Sequence, residues 1–174
     1  EWIGIYHDQK DYAVCFGVEP EIWQKAEDNQ YVPETLLTET EIRMPGGHLT
    51  ITQLIALLNT IPMEITFVDV DNINRFFNEG PKDFKRPGMA IDREVFSCHP
   101  PKIEATVRRI IGEFRAGALD EVPIWMDKNG KCMLVRYMAV RDKEGKYLGT
   151  LELVQDMGFA KEHFQPEKRQ EEIW

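Results

Sequence analysis

Cysteine is scarce in this chain of 174 residues, and the three present, Cys15, Cys98 and Cys132, form no Cys-x-x-Cys pair. An odd, scattered set excludes a disulfide framework and a structural zinc site, and it fits a reducing, cytoplasmic setting. Long apolar runs are missing as well. No stretch approaches the ~18 apolar residues of a membrane-spanning helix, and the acidic start at Glu1 lacks the basic n-region of a secretion signal. Positive charge is in deficit: 21 Lys and Arg stand against 30 Asp and Glu, a net charge of -9. Without a basic face, neither nucleic acid nor an anionic membrane is an expected partner. The local run Lys82, Lys85, Arg86 reads as a solvated loop. Catalytic signatures are lacking too. There is no P-loop, GxGxxG, HExxH, His-x3-His or Ser-His-Asp set, so the expectation is a protein that is not an enzyme. The chain opens on Glu1 rather than Met, which fits a piece of something longer.

What is present is a meander at 121–156. Ile124-Trp125-Met126 runs into Asp127-Lys128-Asn129-Gly130, then 131–141 follows free of Pro and Gly. Asp142-Lys143-Glu144-Gly145 turns the chain again, and Tyr147 to Gln155 completes three strands. Both turns end in Gly, which takes the positive φ of a tight hairpin loop without a steric cost. The middle strand alternates Leu134, Arg136, Met138 and Val140 against Met133, Val135, Tyr137 and Ala139. Both sets are largely apolar, so both faces of this strand are expected to be covered.

Upstream, residues 1–47 are irregular and acidic, with one strand-like run at Tyr12–Val18 and a closing loop at Met44–Gly47. Thr50-x-x-Gln53 is a capping box that opens a helix with Ile51, Leu54, Ile55 and Leu58 on one face, stopped by Pro62. A hairpin follows: Glu64 to Val68, a polar turn at Asp69–Asn72, then Ile73 to Asn78. After a loop at 79–96, tandem Pro100-Pro101 suits the first turn of a helix running to Ala116. Its apolar stripe is Ile103, Val107, Ile110, Ile111 and Phe114, and Gly117 stands where a C′ residue is expected. Residues 157–174 read as a charged helix or tail.

This order, helix, two strands, loops, long helix, three strands, resembles that of the PAS sensor fold. The resemblance implies an α+β architecture, a five-stranded antiparallel sheet with helices on one face. His99-Pro100 before the long helix and Gln155-Asp156-Met157 after the last strand are similar to PAS motifs at those points. Phe67-Val68-Asp69, Arg75-Phe76-Phe77-Asn78, Cys98-His99-Pro100-Pro101-Lys102, Arg136 to Asp142 and Tyr147 to Glu152 resemble a narrower group. These are PAS domains at the C-terminal end of bacterial proteins with a hemerythrin-like helical domain upstream. The likeness covers about 48–157. It implies that 1–47 is a linker or N-terminal extension, that 158–174 is a C-terminal charged tail, and that the full-length protein carries a hemerythrin-like partner domain. The Pro- and Lys-rich segment at 78–96 departs from ordinary PAS domains.

Six residues are candidates for ligand binding: His99, Cys98, Arg136, Trp125, Tyr137 and Phe77. His99 and Cys98 either ligate a haem or iron at a pocket mouth, or start the long helix by capping it. The surrounding motif of light-sensing flavin PAS domains is absent, and Asp69, Asp71 and Asn72 lack the Gly and distal Glu of a calcium loop. Arg136, mid-strand among apolar neighbours, needs a partner: a ligand carboxylate or phosphate, or a protein acid such as Glu152. Trp125, Tyr137 and Phe77 line a pocket, or form plain core or a dimer interface. The function expected is a sensory module that binds a small molecule or cofactor, mediates dimerisation, or both. The alternatives are a haem- or iron-linked redox or gas sensor, and a ligand-free dimerisation scaffold. A homodimer, or residues 1–47 folded back, is expected to cover the second apolar face of the middle strand.

Overall fold

The computed structural model describes residues 40–80, 82–84, 90–98 and 101–164. The strand-like run at Tyr12–Val18 lies outside them. Strands β1 (Glu41–Met44) and β2 (Gly47–Thr50) form a small antiparallel hairpin in which Ile42 faces Leu49. Pro45-Gly46 is therefore a hairpin turn where the sequence reads as an open loop. Cross-strand pairing of the flanking residues, which no local signal announces, makes the difference.

Helix α1 (Ile51–Thr60) begins at the capping box: Thr50 Oγ1 accepts from Gln53 N at 3.2 Å, and Gln53 Oε1 accepts from Thr50 N at 2.9 Å. The expected apolar face is only lightly used. Ile51, Leu54 and Leu58 are half-buried, Ile55 is exposed, and no residue of α1 is fully buried. The helix is tied to the sheet by polar contacts instead. Asn78 donates through Nδ2 to the carbonyls of Leu58 (3.2 Å) and Met63 (2.9 Å), and its Oδ1 accepts from Ile65 N (2.8 Å).

The main sheet contains β3 (Glu64–Asp69), β4 (Asn74–Phe77), β5 (Glu121–Lys128), β6 (Lys131–Arg141) and β7 (Tyr147–Asp156), all antiparallel, in the order β4-β3-β7-β6-β5. The last strand thus sits at the centre, between the first hairpin and the meander. The turns behave as their residues require. Asn129 (φ 54°) and Gly130 (φ 81°) make a two-residue loop between β5 and β6, with Asp127 Oδ1 accepting from Gly130 N. Asp69 Oδ1 accepts from the amides of Asp71 and Ile73 across the β3–β4 turn. Gly149, on β7, is demanded by space rather than by φ. A Cβ there would lie 2.2 Å from the Val68 carbonyl oxygen and 2.8 Å from the Phe67 ring.

Helix α2 (Pro101–Ala116) covers the inner face of this sheet, and a 3₁₀ turn at Val95–Cys98 precedes it. The stripe is buried as its spacing predicts: Val107, Ile110, Ile111 and Phe114 are inaccessible and Ile103 is half-buried. Burying each such side chain contributes about 1.5–3 kcal/mol relative to exposure. The helix ends in a Schellman motif at Gly117 (φ 74°). Gly117 N donates to Phe114 O (3.1 Å) and Ala118 N to Glu113 O (3.0 Å). A short helix α3 (Gly158–His163) follows β7.

Candidate functional site

Antiparallel register decides which side chains share a face. Thr66 on β3 faces Glu152 on β7, and Glu152 faces Tyr137 on β6. Phe77 on β4 faces Thr66, and Val122 on β5 faces Tyr137, so a single row crosses the whole sheet. Its three central members are polar and buried, at 5% exposure for Thr66, 9% for Glu152 and 7% for Tyr137. Tyr137 Oη donates to Glu152 Oε1 at 3.4 Å, a long bond. Along β7 the next inward residue, Thr150, shares a 2.7 Å hydrogen bond with the Tyr147 hydroxyl. Tyr137 and Tyr147 pack in one cluster with Ile110 and Phe114 of α2 and with Phe84. A polar row at the middle of a core departs from plain apolar packing.

Two arginines fix the end of α2 that overlies this region. Arg141 Nη2 donates to Phe114 O at 2.7 Å, and Arg115 Nη2 to Val70 O at 2.8 Å and Asn72 Oδ1 at 3.0 Å. The β3–β4 turn is itself stiffened by Asp69, whose Oδ2 receives Arg75 Nε at 2.5 Å. Burial alone would push the Asp69 carboxyl up. The amides of Ile73 and Asp71 and the Arg75 guanidinium outweigh this and hold it below its ordinary value.

The other sheet face carries different chemistry. Arg136 pairs through Nε with Glu121 Oε1 at 2.6 Å, and this hydrogen bond holds the Glu121 carboxyl below its usual range. The partner expected from the sequence, Glu152, is on the opposite face, because β7 pairs β6 with Glu152 beside Tyr137 rather than beside Arg136. Trp125 faces Leu134 on this outer side and is 60% exposed. Leu134, Met138, Val140, Leu151 and Leu153 on the same sheet face are half-buried.

Of the six candidates, the structure brings Tyr137 and Phe77 into one row and sets Arg136 and Trp125 on the reverse of the sheet. Trp125 therefore cannot line a pocket with Phe77, since residues of odd and even register point to opposite sides of a strand. His99 lies outside the described residues, and for Cys98 only the backbone is described. Among the described residues no cluster of His, Cys, Asp or Glu is placed to hold a metal ion. Sequence reasoning missed Thr66 and the inward role of Glu152. Their signal is the cross-strand register with Tyr137, readable only once strand partners are known.

A PAS domain family model matches residues 54–158, more than half of the chain. The chain belongs to the PAS domain family. Its five-stranded antiparallel sheet with helices is the α+β PAS fold expected from the sequence. Among solved structures, a C-terminal domain from Streptococcus mutans is 37% identical to this PAS chain, with a TM-score of 0.68. The match covers 71% of this chain and 98% of that one. A sensory box sensor histidine kinase from Vibrio cholerae is 12% identical over 59% of this chain and 88% of that one, with a TM-score of 0.42. VqmA of the same organism, solved as a ligand–DNA complex, is 20% identical over 63% of this chain and 52% of that one, with a TM-score of 0.45. No curated protein matches the chain. Among the described residues no helix is long and apolar enough to cross a membrane.

Proposed function

We propose that this PAS domain is a sensory signalling module, not an enzyme, in which a small molecule binds against the inner face of the sheet beneath α2. The observation that carries this reading is the buried row Thr66–Glu152–Tyr137. Two hydroxyls and a carboxylate in the middle of an apolar face supply the few fixed polar groups that orient a ligand in an otherwise apolar site. Phe77 at the end of the row would add an aromatic wall. Ligand entry would press on α2, and the change would pass through Arg115 and Arg141 to the β3–β4 turn and to β6. Dimerisation through the outer face, centred on the exposed Trp125, accounts for the second apolar side of β6 and would carry the signal between copies. The upstream partner in this reading is a hemerythrin-like domain. The net charge of -9 favours protein and small-molecule partners over nucleic acid.

Native mass spectrometry and an absorption spectrum of the purified chain test the reading. A bound species should be present in the wild type and lost from Tyr137→Phe and Glu152→Gln, with the circular dichroism spectrum unchanged. Equal retention by both variants would place the ligand elsewhere and refute the role of the row. A Soret band would point to the haem alternative through His99 and Cys98.

A further inference from the structure

The largest fully buried side chains among the described residues are Phe84, Phe114, Met133 and Val154. Three of them stand on α2 or the sheet. Phe84 stands in the irregular segment 82–84, outside any helix or strand. At 2% exposure it packs in one cluster with Ile110 and Phe114 of α2 and with Met133, Val135 and Tyr137 of β6. The space between α2 and the sheet is thus filled by a ring that the regular elements do not supply.

Side chains of three strands clip this segment to the sheet. On β3, Glu64 Oε1 accepts from Asp83 N at 2.6 Å and from Phe84 N at 3.2 Å. On β5, Lys128 donates to Asp83 O, and its ammonium lies 3.6 Å from the centroid of the Phe84 ring. On β6, Lys131 pairs with Asp83 Oδ1 at 2.6 Å. The clip therefore differs from the main-chain ladder that joins the strands. A segment held in this way opens at lower cost than a strand of the sheet. The ammonium over the ring also marks the chemistry of the space. An aromatic face attracts it, and a saturated body does not.

We propose that the segment 82–84 is a strap that closes the inner-face site, and that a single-ring aromatic molecule binds there by displacing the Phe84 ring. This rests on the reading that the inner face takes a small molecule, and it adds the ligand's class and the control of access. The incoming ring takes over the contacts of Phe84 with Ile110, Phe114 and Met133, and its face meets Lys128. Closed and open forms are in equilibrium, so the apparent affinity is set by the fraction open. The strap also has a route outward. Lys131 reaches Asp156 at 3.7 Å, and Asp156 Oδ1 accepts from Gly158 N at 2.8 Å where α3 begins. Release of Asp83 shifts Lys131 toward Asp156 and so touches the junction of β7 and α3.

Benzene is the probe, titrated into the full chain and followed by amide resonances. The wild type decides, because any core truncation can leave a cavity that holds benzene. Saturable shifts are expected there at Asp83, Phe84, Ile110, Met133 and Gly158. Lys131→Gln changes an exposed side chain, loosens the clip, and should tighten benzene binding by up to about fivefold. Phe84→Ala vacates the ring space and should bind about tenfold or more tightly than the wild type, since no strap has to leave. Phe84→Val serves the same comparison if the alanine variant does not fold. Cyclohexane, apolar but without a π face, should bind each protein several-fold more weakly than benzene. Absence of saturable binding to the wild type would overturn the proposal. So would equal benzene affinity in wild type, Lys131→Gln and the Phe84 variant, or equal binding of cyclohexane. Those results would leave the inner-face row standing, since the row is judged by loss of the bound species from Tyr137→Phe and Glu152→Gln.

Discussion

Replacing Gly149 with alanine tests the packing at the centre of the sheet. The added Cβ would stand 2.2 Å from the Val68 carbonyl oxygen and 2.8 Å from two carbons of the Phe67 ring. Real Cβ contacts essentially never fall below 3.0 Å, so the β3 and β7 backbones must part by at least several tenths of an ångström. Phe67 can give way only in part, because it is held opposite Phe76 and Leu151. Overpacking of this kind costs about 1–3 kcal/mol. Weakening one β3–β7 ladder bond adds about 1 kcal/mol. Loss of glycine freedom in the unfolded chain returns about 0.4–1 kcal/mol. The net expectation is a destabilisation of about 1–3.5 kcal/mol. With a urea slope of about 1.5 kcal/mol/M, the unfolding midpoint should fall by roughly 0.7–2.3 M. Gly112→Ala is the matched control. Gly112 is an exposed position inside α2 with nothing within 4 Å of a built Cβ, so the same change should stabilise by about 0.5–1 kcal/mol. An unchanged midpoint for Gly149→Ala, or the same sign for both variants, would refute the packing argument.

Two further outcomes follow from local chemistry. Thr50→Ala removes one half of the capping box and should cost about 0.5–2 kcal/mol, seen as faster amide exchange within α1. Because no α1 side chain is fully buried, the global midpoint should move much less than that local figure. Stability should also show a plateau with two limbs. Asp69 and Glu121 have carboxyls held below their ordinary values, so their contribution is complete above the unfolded carboxylate range, about 4. That contribution is lost as pH falls through the lower folded values. Lys131 is raised above its ordinary value, chiefly by its hydrogen bond to Asp83, so its contribution is lost only as pH climbs through the folded value above about 10.4. Asp69→Asn should shrink the acid limb in urea titrations across pH. An acid limb of undiminished size in that variant would remove Asp69 from the account.

Much of this protein is written in short stretches of sequence. Thr50 and Gln53 cap α1, Gly117 ends α2, and Asn129-Gly130 turns β5 into β6. Each is fixed by backbone geometry within a few residues, and the structure reproduces each one. The α2 stripe was equally legible, since a helix with one apolar face has one way to bury it. The β strands were different. Period-2 alternation separates two faces but does not say which is inner when both are apolar, as on β6. That choice came from the insertion of β7 between β3 and β6, a pairing of residues far apart in the chain. It joined Tyr137 to Glu152 and Thr66, gave Arg136 to Glu121, and turned Trp125 outward. The close fit at Gly149 arises in the same way, where β3 and β7 meet, and neither strand alone carries the distances that define it.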